Sequence, residues 1–174
     1  MSTPAATISV WVGEQSACIR IVGRATFTAS ADFKALINEL LQRGCRCIAL
    51  DLSECVLMDS TFLGVLAGFG LKLSSGNGEE GRHGIELLGA SPRILELLDT
   101  LGVLHLFKIV QGPVNLPSEG QPVERTPGNH TKEDLSRTCQ EAHEILMGIN
   151  PENAARFKDV AQFLAQSLKK SQPE

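Results

Sequence analysis

The stretch Cys47-Ile48-Ala49-Leu50-Asp51-Leu52-Ser53-Glu54-Cys55-Val56-Leu57-Met58-Asp59-Ser60-Thr61-Phe62-Leu63-Gly64-Val65-Leu66 reads as an apolar strand, a strand-to-helix turn and an apolar helix. Ile48 to Leu52 is a short, mostly apolar run bounded by Ser53-Glu54, the pattern of a strand buried on both faces. A helix is expected to begin near Ser60, because Phe62, Leu66, Phe69 and Leu73 recur on one face, widened by Leu63 and Ala67. Asp59 and Ser60 are both good N-cap types, and either could accept a hydrogen bond from the free amides of the first turn.

Working outward, Ile8 to Val12 alternates at period two, and Gly13 to Ser16 supplies turn chemistry before a second strand at Ala17 to Val22. Thr28 or Ser30 can cap a helix whose stripe is Phe33, Leu36, Ile37, Leu40 and Leu41 and which Gly44 ends. Cys45-Arg46-Cys47 is expected on the strand that follows. Gly76-Asn77-Gly78-Glu79-Glu80-Gly81 fits the G-x-G-x-x-G string, but a helix precedes it, a strand at Ile85 to Leu88 follows it, and its acids repel phosphate, so it reads as a loop. Ser91-Pro92 starts another helix, with Ile94, Leu95, Leu98 and Leu101 buried and Gly102 ending it, and Leu106 to Val110 is a last short strand. This order predicts an α/β domain with a mixed sheet and helices mainly on one face.

The turn Asp51-Leu52-Ser53 through Met58-Asp59-Ser60-Thr61 to Leu63-Gly64-Val65-Leu66 resembles the signature of STAS domains, most closely anti-sigma factor antagonists, over about Ile8 to Val110. The resemblance implies a STAS-like fold for residues 1–111 and a module that binds an anti-sigma factor acting also as serine kinase. It further implies that Ser60 is phosphorylated, that a serine phosphatase reverses this, and that the unphosphorylated form captures the partner. Asp59, Ser60, Thr61 and Phe62, with the loop residues Gly23, Arg24 and Thr26, are the implied partner-binding residues. Two departures stand out: Gly23-Arg24-Ala25-Thr26 replaces a common Gly-Glu-Leu-Asp, and Phe62 replaces a common glycine. The bland role for Phe62 is a core anchor for its helix. The alternative function is a constitutive STAS subunit of a lipid-transport or stress-signalling assembly, which docks through the same helix without a switch.

Physical chemistry supports a switch at Ser60 independently. Free N–H groups and about half a positive charge at a helix N-terminus tolerate a phosphate. A partner fitted to a neutral hydroxyl would instead meet close to two added negative charges beside Asp59.

Residues 112–130 hold Pro113, Pro117, Pro122 and Pro127 and no apolar period, so they read as a linker. Residues 131–171 then form a helical hairpin: Thr131 starts a helix with Leu135, Cys139, Ala142 and Leu146 on one face, and Asn150-Pro151 starts another with Phe157, Val160, Leu164 and Leu168. Such a hairpin buries too little to stand alone and must pack on the main domain, on a second copy as a homodimer, or on a partner.

The 174 residues suit one domain plus an appendage, and a net charge of −4 without a basic cluster argues against nucleic acid as the partner. The start of the chain has no secretory pattern and the longest apolar run is too short to insert in a membrane, so a cytoplasmic location is expected. Five cysteines without paired C-x-x-C spacing, and scattered histidines, indicate reduced thiols and neither metal nor cofactor. An enzyme is not expected, since no nucleophile elbow, P-loop or Ser/His/Asp grouping has recognisable spacing.

Overall fold

The structure, a computed structural model, describes residues 6–74, 84–111, 123–124 and 128–158. The glycine-rich loop at 76–81 and the hairpin residues Val160, Leu164 and Leu168 lie outside the described residues.

Strands β1 (Thr7–Val12) and β2 (Ser16–Ala25) form an antiparallel hairpin in which Val10 faces Ile19 and Ile8 faces Ile21. Helix α1 (Phe27–Gln42) leads to β3 (Cys47–Asp51), which lies parallel to β2 with Leu50 beside Ile19. A short β4 (Cys55–Met58) precedes α2 (Ser60–Ser74), and β5 (Gly84–Leu88), α3 (Pro92–Thr100) and β6 (Phe107–Val110) complete the central unit. A two-residue strand, β7 (Val123–Glu124), comes from the segment expected as linker and adds to the edge of β1. The sheet runs β6-β5-β3-β2-β1-β7, with β4 beside the end of β2. It is mixed, as expected: β2, β3, β5 and β6 are parallel, while β1 is antiparallel to both neighbours.

The strands owe their faces to alternation. Ile8, Val10, Ile19, Ile21, Ile48, Leu50, Ile85 and Leu87 share one face and are buried in the core. The opposite face carries Arg20, Asp51, Glu86 and Lys108, with Arg20 lying over the Trp11 ring. Across the core, Phe33 of α1 stacks on Phe62 of α2 with ring centroids 4.6 Å apart. Each ring removed from water contributes about 2–3 kcal/mol, so this pair fixes how the two helices sit on the sheet.

Three local differences from the sequence reading have physical causes. The third strand starts at Cys47, so Cys45 is not on it; Cys45 is buried in the preceding turn, where its N–H donates to Leu40 O at 3.0 Å. The second strand continues past Val22 because Gly23 adopts φ 99° and shifts the register, letting Arg24 and Ala25 pair with Leu57 and Met58. That pairing turns Cys55 to Met58 into a strand. Finally, α1 begins after Thr26, not at Thr28 or Ser30, and the Thr26 side chain makes no cap bond.

What caps α1 is remote in sequence. Asp59 Oδ1 accepts from Phe62 N–H at 2.9 Å, closing the first turn of α2. Its Oδ2 accepts from Phe27 N–H at 2.7 Å, so the same carboxylate also holds the first amide of α1. Asp51, at the end of the preceding β3, has a similar role: Oδ1 accepts from Ser53 N–H and Oγ, and Oδ2 accepts from Arg20 Nε at 3.0 Å. Burial alone would raise the Asp51 pKa, but the hydrogen bonds from Ser53 and from Arg20, and the Arg20 charge, outweigh it and hold the carboxyl below its ordinary value.

The last described elements are α4 (Lys132–Ile149) and a further helical segment, residues 152–158. Thr131 and Asp134 form a capping box at the start of α4. Of the three surfaces open to this segment, it packs on the main domain: Ala142 and Leu146 are fully buried within the common core. Asn153 Nδ2 donates to Leu101 O and Leu146 O, both at 2.9 Å, and Arg156 donates to Thr100 O.

Two outcomes follow. Asp59→Ala should cost about 2 kcal/mol in urea unfolding, near 1 kcal/mol for each helix end released, and Asp59→Asn about half, since its single carbonyl oxygen serves one end. Equal stability of all three proteins would show that the bridge contributes nothing. The Asp51 contribution should be complete above pH about 4, the unfolded carboxyl value, and fade as pH falls through the lower folded value. The stability gap between wild type and Asp51→Asn should therefore narrow on acidification below that point.

Candidate functional site at the start of the second helix

The pole at the N-terminus of α2 is assembled from the residues upward by Asp59. Because Asp59 supplies the cap, Ser60 is the first residue of the helix and its hydroxyl is spared from capping. Between the two cap candidates the choice thus falls on Asp59. Ser60 Oγ lies 2.8 Å from His143 Nε2, on α4. His143 Nδ1 donates to Cys139 O at 2.8 Å, which leaves Nε2 as the acceptor and makes the Ser60 hydroxyl the donor.

His143 is only 4% exposed, and Phe157 packs against its ring at 4.9 Å between centroids. Burial pushes its pKa down, more than the Cys139 carbonyl and the Asp59 charge raise it, so the imidazole is neutral at pH 7. Next to it, Thr61 Oγ1 and Cys139 Sγ are 3.0 Å apart. Thr61, expected at a partner surface, is therefore buried under α4.

Phe62 needs a plain correction as a partner-binding residue. Its side chain is fully buried against Phe33, so it is a core anchor, and the helical backbone accepts it. Of the residues expected in the loop, Gly23 and Arg24 belong to β2 and run along β4 toward the pole, and Thr26 reaches it. Gly23 N–H donates to Glu54 O at 3.0 Å, Arg24 is exposed beside Leu57, and Thr26 immediately precedes the amide held by Asp59. Two apolar side chains in the same elements stand open: Phe27 at 46% and Val56 at 65% exposure.

Of the residues gathered around Ser60, sequence reasoning passed over His143 and read Cys139 and Phe157 only as members of apolar helical stripes. Cys139 was legible within a helical stripe, and His143 sits one turn on, but nothing local said that this stripe would cover Ser60. Thiol chemistry does not explain Cys139: burial first, and the Asp59 charge, raise its pKa despite the Thr61 hydrogen bond. Burial likewise raises Cys18 and Cys45, and pushes Cys55 up to about 11, so these thiols stay protonated. Among the described residues no group of three or more His, Cys, Asp or Glu side chains is placed to hold a metal, and no helix is long and apolar enough to cross a membrane.

Comparison with known proteins finds similar folds. A candidate anti-sigma factor antagonist from Thermotoga maritima is 19% identical, with 63% of this chain and 86% of that one covered and a TM-score of 0.51. An anti-sigma factor antagonist from Mycobacterium paratuberculosis is 16% identical, with 63% and 89% covered and a TM-score of 0.50. The anti-sigma factor antagonist SpoIIAA, from Bacillus, in its unphosphorylated form is 19% identical, with 61% and 89% covered and a TM-score of 0.49. At these identities the likeness is one of fold. Comparison with curated protein sequences finds no match. A family model described as "Mlab, STAS domain" matches residues 10–111, more than half of the chain, and ends before α4. The chain accordingly belongs to the STAS domain family.

Proposed function

We propose that this protein is a regulatory module of the anti-sigma factor antagonist type. It captures a protein partner, an anti-sigma factor with serine kinase activity, through the pole at Asp59, Ser60, Gly23, Arg24 and Thr26. Phosphorylation of Ser60 releases the partner, and a serine phosphatase restores the hydroxyl. Ser60 is in this reading a substrate residue and not a nucleophile.

The observation that carries the reading is the division of labour between Asp59 and Ser60. Asp59 does the capping for two helices, so the Ser60 hydroxyl can be modified without removing a cap. Its position in the first turn of α2 lets the free amides and the helix dipole accept the added charge. The neighbouring Asp59 carboxylate adds to the charge a partner would meet, which turns a tolerated modification into a repulsive surface.

One observation favours a second reading, a constitutive STAS subunit of a lipid-transport or stress-signalling assembly. The Ser60 hydroxyl is already engaged by a buried histidine of the same chain, as suits a residue with a fixed structural bond.

Intact-mass measurement of the protein from its native cell, with the site localised, separates the two. Phosphate on Ser60 is expected under the first reading. In pull-downs against the cognate anti-sigma factor, Ser60→Ala should keep binding, and Ser60→Asp should lose it by tenfold or more. Ser60→Ala should also cost about 1 kcal/mol in thermal or urea melts, the worth of one hydrogen bond, with no additional loss from uncapping. Equal binding by both variants, with no phosphate under growth or stress, would replace the switch with the constitutive subunit.

A further inference from the structure

Helix α4 does more than fill a gap on the main domain, because it meets α2 along the face that begins at Ser60. The two helices approach at backbone distance. A Cβ placed on Gly64 would come within 2.7 Å of the Ala142 carbonyl carbon and of its Cβ, and one on Gly68 within 3.0 Å of Ile145 Cδ1. Above these contacts lie the Thr61 to Cys139 and Ser60 to His143 bonds, at 3.0 and 2.8 Å. At the side, Lys34 of α1 pairs with Glu141 at 2.7 Å, and His130 Nε2 and Gly128 N–H both reach Asp32 Oδ1 before α4 begins. The α4 sequence lies beyond the segment that the family model matches.

With Ser60 Oγ directed at His143, this arrangement sets a phosphate on that oxygen against α4. A phosphoryl group on Ser60 Oγ replaces the donated proton with three acceptor oxygens facing the Nε2 lone pair, in a gap of 2.8 Å. While Oγ keeps this place, admitting the phosphate requires α4 to move, and any such movement disturbs the close packing of Ala142 on Gly64.

We propose that residues 131–158 are an intramolecular occupant of the Ser60 pole, and that α4 docking and phosphate on Ser60 exclude one another. A kinase reaches the hydroxyl only when α4 has left, a partner that docks over Ser60 displaces α4 first, and the phosphate keeps α4 away until it is removed. The regulatory role rests on the reading of Ser60 as a phosphoacceptor. The mutual exclusion rests on geometry alone.

The test is hydrogen exchange on the full chain, with phosphoserine installed at position 60 by amber suppression and compared with unmodified protein. Amides of residues 132–149 should exchange at least about tenfold faster in the phosphorylated protein, while those of β1, β2 and β3 keep their protection. Gly64→Leu, which puts a side chain where Ala142 sits, should release the same residues without adding charge, with the strands again as the internal control for folding. His143→Ala should weaken α4 protection in unmodified protein and shrink the difference that phosphate makes. Unchanged protection of 132–149 on phosphorylation would overturn the proposal. Increased protection would overturn it too, showing that His143 takes up a proton and clamps the phosphate. Neither result depends on partner capture, so α4 release without any effect of Ser60→Asp on binding would leave this inference standing and remove only the switch reading.

Discussion

One carboxylate sets the geometry of the end of the molecule where α1 and α2 begin. Asp59 accepts from the first turn of α2 through one oxygen and from the first amide of α1 through the other, so two helices of different sequence origin share a single cap. Each helix N-terminus concentrates partial positive charge, and bringing two together without an anion between them would be unfavourable. With Asp59 in place the two ends converge, the Phe33 and Phe62 rings stack behind them, and the first residue of α2 is held at the surface of the core. The Asp51 turn supports this from behind by tying β3 and Arg20 to the start of the segment that becomes β4.

Much of this was legible in the sequence where the signal is local. The strand from Ile48, the helix from Ser60, the Ser91-Pro92 start and the Thr131 cap all appear where their residue types predict, because caps and apolar periods act over a few residues. The mixed sheet and its helices followed from the order of those elements. The features that were not legible depend on contacts between distant segments. β4 is a strand only because Gly23 bulges β2 and carries it far enough to pair, and β7 is a strand only because β1 offers an edge. The start of α1 differs from its sequence reading for the same reason, since its cap lies 32 residues away. At the site, Asp59 and Ser60 could be read from their turn, whereas the partner of Ser60 is 83 residues on, and no rule of spacing connects the two.

The glycines of α2 gain a reason from the helix that covers them. Glycine inside a helix costs about 1 kcal/mol relative to alanine, and α2 carries Gly64, Gly68 and Gly70. Gly64 and Gly68 lie under Ala142 and Ile145, while a Cβ on Gly70 would press on Phe107 at 3.0 Å. Two of the three therefore make room for α4 and one for the end of the sheet, and the propensity lost locally is offset by burying Ala142 and Leu146 completely. Glycines that weaken the helix locally thus favour it in this packing.

Covalent connection gives the α4 contact a weight that its side chains alone do not explain. The segment joining β6 to α4 is caught midway at the sheet edge by the pairing of Val123 with Val10 and of Glu124 with Ser9. A helix joined to its binding face in this way meets it at an effective concentration on the order of millimolar. A rival segment from another molecule, present at about micromolar concentration, has to bind the same face roughly a thousandfold more tightly, a difference of about 4 kcal/mol, to take its place half of the time. The tether thus sets an affinity threshold for any segment competing for this face of α2: a weak competitor leaves α4 in place, and one that also covers the open Phe27 and Val56 side chains has more surface with which to exceed it.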